Sequence, residues 1–235
     1  MSHRTHRAAA SFSAAFFLAA LLAASPTLAR AEPATEQAAT SVRALAPTLI
    51  VGDVVFIRVA ARPFREVAAA TDSWTNHVGI VIDTAGDEPL IAESTFPRSR
   101  TTKLSKFAAR SEGGRLAIAR LKAPLTPEQQ QQLVAAAERR TGIFYDTGFD
   151  LHSRRQFCSR YVREVIEEAT GIRVGEVETF AALLTRRPQT GLGFWRVWYF
   201  GQIPWQRETV TPASLLRSPE LVPVFDGIAV KGVAL

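Results

Sequence analysis

Between Leu49 and Ser94 the chain places three apolar, β-rich runs close together, and this crowding of strands ahead of the helices constrains the fold more than any other feature. The first, Leu49 to Ile57, carries Gly52-Asp53 and then Val54-Val55-Phe56-Ile57, long enough for a buried strand. After an irregular stretch from Arg62 to Asn76, His77 to Ile82 reads as a second strand and Pro89 to Ser94 as a third. The Gly-bearing turn of Asp83 to Glu88 makes these two a hairpin. Arg115 to Leu121 alternates less cleanly and is a fourth candidate.

Helical patterning dominates afterwards, so the fold class is α+β. Thr126-Pro127-Glu128-Gln129 supplies an N-cap, a proline at the first helical position and a glutamine placed for a capping box, and Gly142 ends that helix. From Cys158, the residues Tyr161, Val162, Val165, Ile166 and Ala169 keep the rhythm of a helix with one buried face, which stops at Gly171. Glu178 to Leu184 reads as a short helix, Phe194 to Phe200 as an aromatic strand, and Thr211 to Leu216 as a last helical turn.

The amino terminus runs from basic (Arg4, Arg7) through apolar (Ala8 to Ala24) to small residues (Ala29-Arg30-Ala31). That order predicts a secretory signal peptide over residues 1–31, with an uncleaved membrane anchor as the alternative. Residues 32–48, rich in Ala, Thr, Glu and Gln, read as a flexible spacer, and residues 49–235 as a single domain. Cleavage would halve the formal charge of +6, which has no dense basic block, so nucleic-acid binding is not indicated. The expected location is periplasmic or secreted, with no stable membrane insertion after cleavage.

Cys158 is the single cysteine. In an oxidising compartment paired cysteines normally become disulfides, so a lone thiol is either buried and inert or used. Its place at a helix N-terminus, where free N–H groups and the helix dipole favour negative charge, suits a nucleophile. Beyond residue 31 only His77 and His152 remain as bases. His152 lies in a polar stretch with Ser153, Arg154 and Arg155, whereas His77 opens a strand that can hold it rigidly.

If the hairpin turn is centred near Ala85, His77 falls opposite Glu93 and Gly79 opposite Ile91. Opposed strand residues share a face with Cβ atoms about 4.5–5.5 Å apart. Glu93 would then hold one imidazole nitrogen while the other accepts the proton of Cys158. A slip of one residue would turn the glutamate away. Tyr145, close in sequence to the cysteine loop, is a candidate to line the cleft or donate to an oxyanion. Two histidines, one cysteine and scattered acids show no metal-ligand spacing, and no Gly-rich phosphate loop is present, so no cofactor is expected.

Taken in order, Gly52-Asp53-Val54-Val55-Phe56, Asn76-His77-Val78-Gly79-Ile80-Val81, Ala92-Glu93, Phe144-Tyr145-Asp146 and Phe157-Cys158-Ser159-Arg160-Tyr161-Val162 resemble the YiiX/YebB-like cysteine hydrolases. These form the permuted branch of the NlpC superfamily of papain-like enzymes. Thr211-Pro212-Ala213-Ser214-Leu215 resembles the family's terminal helix start, so the likeness spans roughly residues 49–217. The histidine strand precedes the cysteine helix, the order of the permuted branch. The resemblance implies Cys158 as nucleophile, His77 as base, Glu93 as third residue and Tyr145 near the cleft. It also implies a small antiparallel, barrel-like sheet packed on the nucleophile helix. Arg160 departs from it, at a position often acidic in relatives.

Acyl transfer to water follows, with peptide amide bonds of cell-wall fragments (peptidoglycan) as the leading substrate by analogy. A lipid acyl hydrolase or acyltransferase is the alternative, favoured if a long apolar groove adjoins Cys158. A catalytically inactive binding module is the third reading.

Overall fold

The computed structural model describes residues 39–186 and 191–230. The expected signal peptide lies outside the described residues. Its nine strands and eight helices, counted over the described residues, begin with β1 (Thr40–Ser41), α1 (Val42–Leu45) and a 3-10 turn at Ala46–Thr48. There follow β2 (Val54–Val59), α2 (Arg62–Thr71), β3 (His77–Asp83), β4 (Leu90–Glu93), β5 (Arg100–Lys103), α3 (Leu104–Ala108) and β6 (Ser111–Leu121). The second half holds α4 (Pro127–Arg139), α5 (Cys158–Thr170), β7 (Val177–Thr179), α6 (Phe180–Thr185), α7 (Gly193–Trp198), β8 (Glu208–Val210), α8 (Pro212–Leu216) and β9 (Leu221–Val230).

Seven strands form one curled sheet in the order β1-β9-β6-β2-β3-β4-β5, antiparallel except where β1 runs parallel to β9. Strand alternation sends Val54, Phe56, Val78 and Ile80 to one side, against Leu133 of α4 and Tyr161, Val162 and Val165 of α5. Val55, Ile57, Val81 and Ile91 pack on the other side with Leu104 and Phe107 of α3 and Val42 and Leu45 of α1. Both faces are covered, which explains why β2 and β3 read as continuous apolar runs rather than as alternations. This is the mixed α+β, half-barrel architecture expected, with the cysteine helix on one face.

Four sequence-based expectations are corrected. Residues 40–48 are part of the fold rather than spacer, because Val42 and Leu45 are buried in the core. Arg62–Thr71 is a helix, begun by Pro63 in its first turn and ended by Asp72 in the left-handed conformation, with Ala68 and Ala70 buried. The aromatic run at 194–200 is mostly helix α7, not strand. Its Trp195 packs with Phe180 and Ile203, a tertiary contact that overrides the β-propensity of aromatic residues. The hairpin register is also displaced by two residues, as Ile80 faces Ala92 and Val81 faces Ile91.

Gly79 marks how tightly β3 is clasped. A Cβ there would lie 2.5 Å from Ile91 Cγ2, 3.0 Å from Phe107 Cε2 and 3.1 Å from the Ala92 carbonyl oxygen. Gly79→Ala is therefore expected to cost about 2 kcal/mol through overpacking, lowering the melting temperature by roughly 6 °C in a domain this size. A thermal melt at unchanged temperature would contradict that packing.

Candidate active site

His77 is held before it begins its strand. The preceding Asn76 side chain accepts from the Val59 N–H at 2.7 Å and donates to the Val59 carbonyl at 3.0 Å, while Thr75 Oγ1 donates to the Ile57 carbonyl at 2.9 Å. The imidazole itself is fully buried between Phe64, edge-on with ring centroids 5.9 Å apart, and Phe107, at 5.6 Å. Few rotations remain open to it.

Glu93, at the end of β4, is likewise fully buried. Its Oε2 lies 2.6 Å from His77 Nε2 and accepts from Arg110 Nη2 at 2.7 Å, and its Oε1 accepts from Arg100 Nε at 3.3 Å. The two-residue displacement of the hairpin makes His77 and Glu93 diagonal neighbours rather than direct opposites. Because side chains alternate with period two, that shift keeps both on one face, and long side chains close a diagonal of about 7–8 Å. Arg110 also lies over the Phe107 ring at 4.9 Å, so one aromatic ring steadies both partners of the carboxylate.

Cys158 is the first residue of α5 and is 3% exposed. Phe157 is the N-cap and no side chain caps the helix start, so first-turn N–H groups remain unspent. The Gln156 N–H donates to the Phe144 carbonyl at 3.1 Å and its carbonyl accepts from Asp146 N–H at 2.7 Å, forming a parallel bridge that sets Tyr145 beside the cysteine loop.

These groups are coupled electrostatically. Burial works against a charged imidazole, but Cys158 and Glu93 outweigh it and raise the His77 pKa to about 9. Burial likewise opposes the Glu93 carboxylate, yet His77 and then Arg110 lower its pKa to about 2. Tyr145 is pushed well above its ordinary value, first by burial and then by Cys158, so its hydroxyl stays protonated. That hydroxyl and His77 Nδ1 have no hydrogen-bond partner among the described residues. Nε2 being taken by Glu93, Nδ1 is the nitrogen left for Cys158.

Beside Cys158 opens a cleft whose walls include Phe64 and Val67 of α2, Phe149 of the loop before α5, Phe180 and Leu184 of α6, and Trp195 of α7. Its polar side chains are mostly turned to other work. Ser159 Oγ donates to the Val210 carbonyl at 2.7 Å and Thr71 Oγ1 to the Val67 carbonyl at 2.9 Å. Tyr145 also lines the cleft.

His152 stands apart, exposed and 2.7 Å from Glu208. Arg160 is structural: its guanidinium donates to Glu164 at 2.6 Å and to the Ser153 and Arg155 carbonyls at 2.6 and 2.9 Å, tying the preceding loop to α5. Arg110 and Arg100 are the residues that sequence reading missed. Only the pairing of Glu93 with Arg100 across β4 and β5 could have disclosed the second, and β5 itself, Arg-Thr-Thr-Lys, has no apolar signature.

Residues 48–225 match the model of the permuted papain-like amidases, the YaeF/YiiX type or C92 family. Over 173 residues the chain is 29% identical to the uncharacterized protein YiiX of Escherichia coli K12, covering 74% of this chain and 84% of that one. The crystal structure of the metalloprotein YiiX from Escherichia coli O157:H7 superposes with a TM-score of 0.70 at 28% identity, over 76% of this chain and 97% of that one. With a match across most of its length, the chain belongs to the C92 family of permuted papain-like amidases and is a cysteine hydrolase.

Proposed function

We propose that Cys158, His77 and Glu93 act as a catalytic triad that cleaves an amide, or an ester, by way of a thioester. The observation that carries this reading is the buried 2.6 Å contact of His77 Nε2 with Glu93, in an imidazole whose pKa Cys158 and Glu93 together raise. The imidazole takes the proton that the sulfur must lose, and Glu93 fixes the ring so that Nδ1 faces the nucleophile. Sulfur adds to the carbonyl carbon, and first-turn N–H groups of α5 with the Tyr145 hydroxyl receive the oxyanion. The C–N bond breaks as His77 gives its proton to the departing nitrogen. Water, deprotonated by His77, then displaces the sulfur and leaves a carboxylic acid.

The apolar cleft favours a substrate with an apolar acyl chain over a polar cell-wall peptide, whose charged groups would lose hydration there without partners. We also propose that the enzyme works after export, on the strength of the basic, apolar and small-residue order of residues 4–31. YiiX from Escherichia coli O157:H7 is a metalloprotein. Among the described residues of this chain no group of three or more His, Cys, Asp or Glu is placed to hold a metal. Glu93 is moreover engaged by two arginines, whose charges oppose a cation, so the donor set does not fit one.

A panel of N-acyl amino acids tests the substrate. Each added methylene is worth about 0.8 kcal/mol of burial, so kcat/KM is expected to rise roughly fourfold per methylene until the cleft is full, and to vanish in Cys158→Ala. Faster release from muramyl peptides than from any N-acyl amino acid would return the cell-wall reading.

A further inference from the structure

The two sides of α7 meet different surroundings. Trp195 lines the cleft with Phe180 and Leu184, whereas Val197 is 80% exposed and Phe200 is 97% exposed. Val197 belongs to the last turn of α7, and Phe200 follows two residues after the last helical residue, Trp198. Their exposure does not come from a frayed end. The helix closes with Gly201 N–H donating to the Arg196 carbonyl at 2.7 Å and Phe200 N–H to the Val197 carbonyl at 3.2 Å, the paired bonds of a Schellman motif. The left-handed residue of that motif is Phe200, with φ of 52°. Glycine is favoured at such a position because a side chain there is strained. A whole aromatic ring thus occupies the place least suited to it and buries almost nothing.

The surroundings are apolar, with one uncompensated cation. Trp205, a few residues on in the chain, is 41% exposed, and Arg196 is exposed with no ion pair among the described residues. Residues 191–207 contain no Asp or Glu, and Arg207 is turned away to Asp150 at 3.7 Å and to the Gly148 carbonyl at 2.9 Å, which leaves Arg196 as the uncompensated cation of this segment. Arg62, whose guanidinium lies 5.5 Å from the Phe194 ring, is paired with Glu66 at 3.7 Å. No helix among the described residues is long and apolar enough to cross a membrane.

We propose that Val197, Phe200 and Arg196 dock the protein onto the surface of an anionic lipid bilayer. The two apolar side chains enter the boundary between headgroups and acyl chains, and the arginine meets lipid phosphate. Docking there would bring the helix that walls the cleft to the interface where amphiphiles reside. This attachment does not depend on the chemistry of Cys158.

Tryptophan fluorescence offers a local test, since all four tryptophans lie at or beyond Trp74 and three lie between 195 and 205. The full chain is titrated with vesicles of brominated phosphatidylglycerol and phosphatidylcholine. Quenching is expected with the anionic vesicles, at least tenfold weaker in apparent affinity with phosphatidylcholine alone. The double variant Val197→Ser, Phe200→Gly is expected to lose quenching at least tenfold while melting no lower than wild type, because glycine relieves the left-handed position. Cys158→Ala is expected to quench like wild type whether or not the enzyme cleaves any substrate, which separates this proposal from the catalytic one. Absent quenching in wild type, or undiminished quenching in the double variant, would overturn it. So would a wild-type dimer that the double variant dissociates while no vesicle quenches either, marking the face as a contact between two copies.

Discussion

Replacing Glu93 with glutamine is expected to lower kcat/KM by roughly 10²- to 10⁴-fold, in line with loss of the group that orients a catalytic imidazole. It is also expected to cost about 3 kcal/mol of stability, since removing one partner of a buried ion pair leaves the others uncompensated. The size follows from what Glu93 holds: His77 at 2.6 Å, Arg110 at 2.7 Å and Arg100 at 3.3 Å, all on a carboxylate with no solvent exposure. A neutral amide in its place cannot supply the negative charge, so the His77 pKa falls from about 9 and Arg110 loses its counter-ion. Steady-state kinetics with thermal melts checks both parts. Wild-type activity in Glu93→Gln, alongside a lowered melting temperature, would reduce Glu93 to a structural role.

The second large effect is a loss of stability at alkaline pH. The His77 pKa is raised in the folded protein, from 6.5 to about 9, so its contribution is fully present below pH 6.5 and is lost as pH rises through 9. A shift of that size corresponds to about 3 kcal/mol. Glu93 has the opposite sign: its lowered pKa contributes stability above pH 4.5 that disappears as pH falls toward 2. Both contributions are therefore complete between about pH 4.5 and 6.5. His77→Gln lacks the first, so the gap in unfolding free energy between it and wild type is expected to close by about 3 kcal/mol between roughly pH 6.5 and 9.5. A gap that stays constant across that window would mean that the imidazole is not held charged.

The parts of this molecule that were legible in sequence are those whose signals are local. Thr126, Pro127 and Gln129 form the capping box that starts α4, and Gly171 ends α5 in the left-handed conformation, as their residue types demand. The apolar rhythm from Cys158 to Ala169 names the buried face of α5 without ambiguity. What stayed hidden depends on partners distant in the chain. Strand β9 carries Pro223 and Gly227, both poor strand residues, and is held by a long antiparallel pairing with β6 that shifts register opposite Ala119. Helix α2 has no side-chain cap, and its value lies in Phe64 and Val67 lining the cleft.

The candidate site shows the same division. Cys158, His77 and Glu93 were each identifiable as candidates from residue type, position on an element and strand parity, and Tyr145 from its nearness to the cysteine loop. Parity tolerated a register two residues out, because an even displacement keeps the glutamate on the histidine's face. Arg110 follows α3 and reaches Glu93 only through the tertiary fold, so no local pattern announces it.

Alkylation of Cys158 by iodoacetamide at neutral pH, followed by intact mass in wild type and His77→Ala, tests most directly whether the imidazole activates the sulfur. Rapid single labelling of wild type, at least a hundredfold slower in a folded His77→Ala, is the result expected. Equal rates in the two proteins would contradict it and leave Cys158 a thiol that happens to stand at the start of a helix.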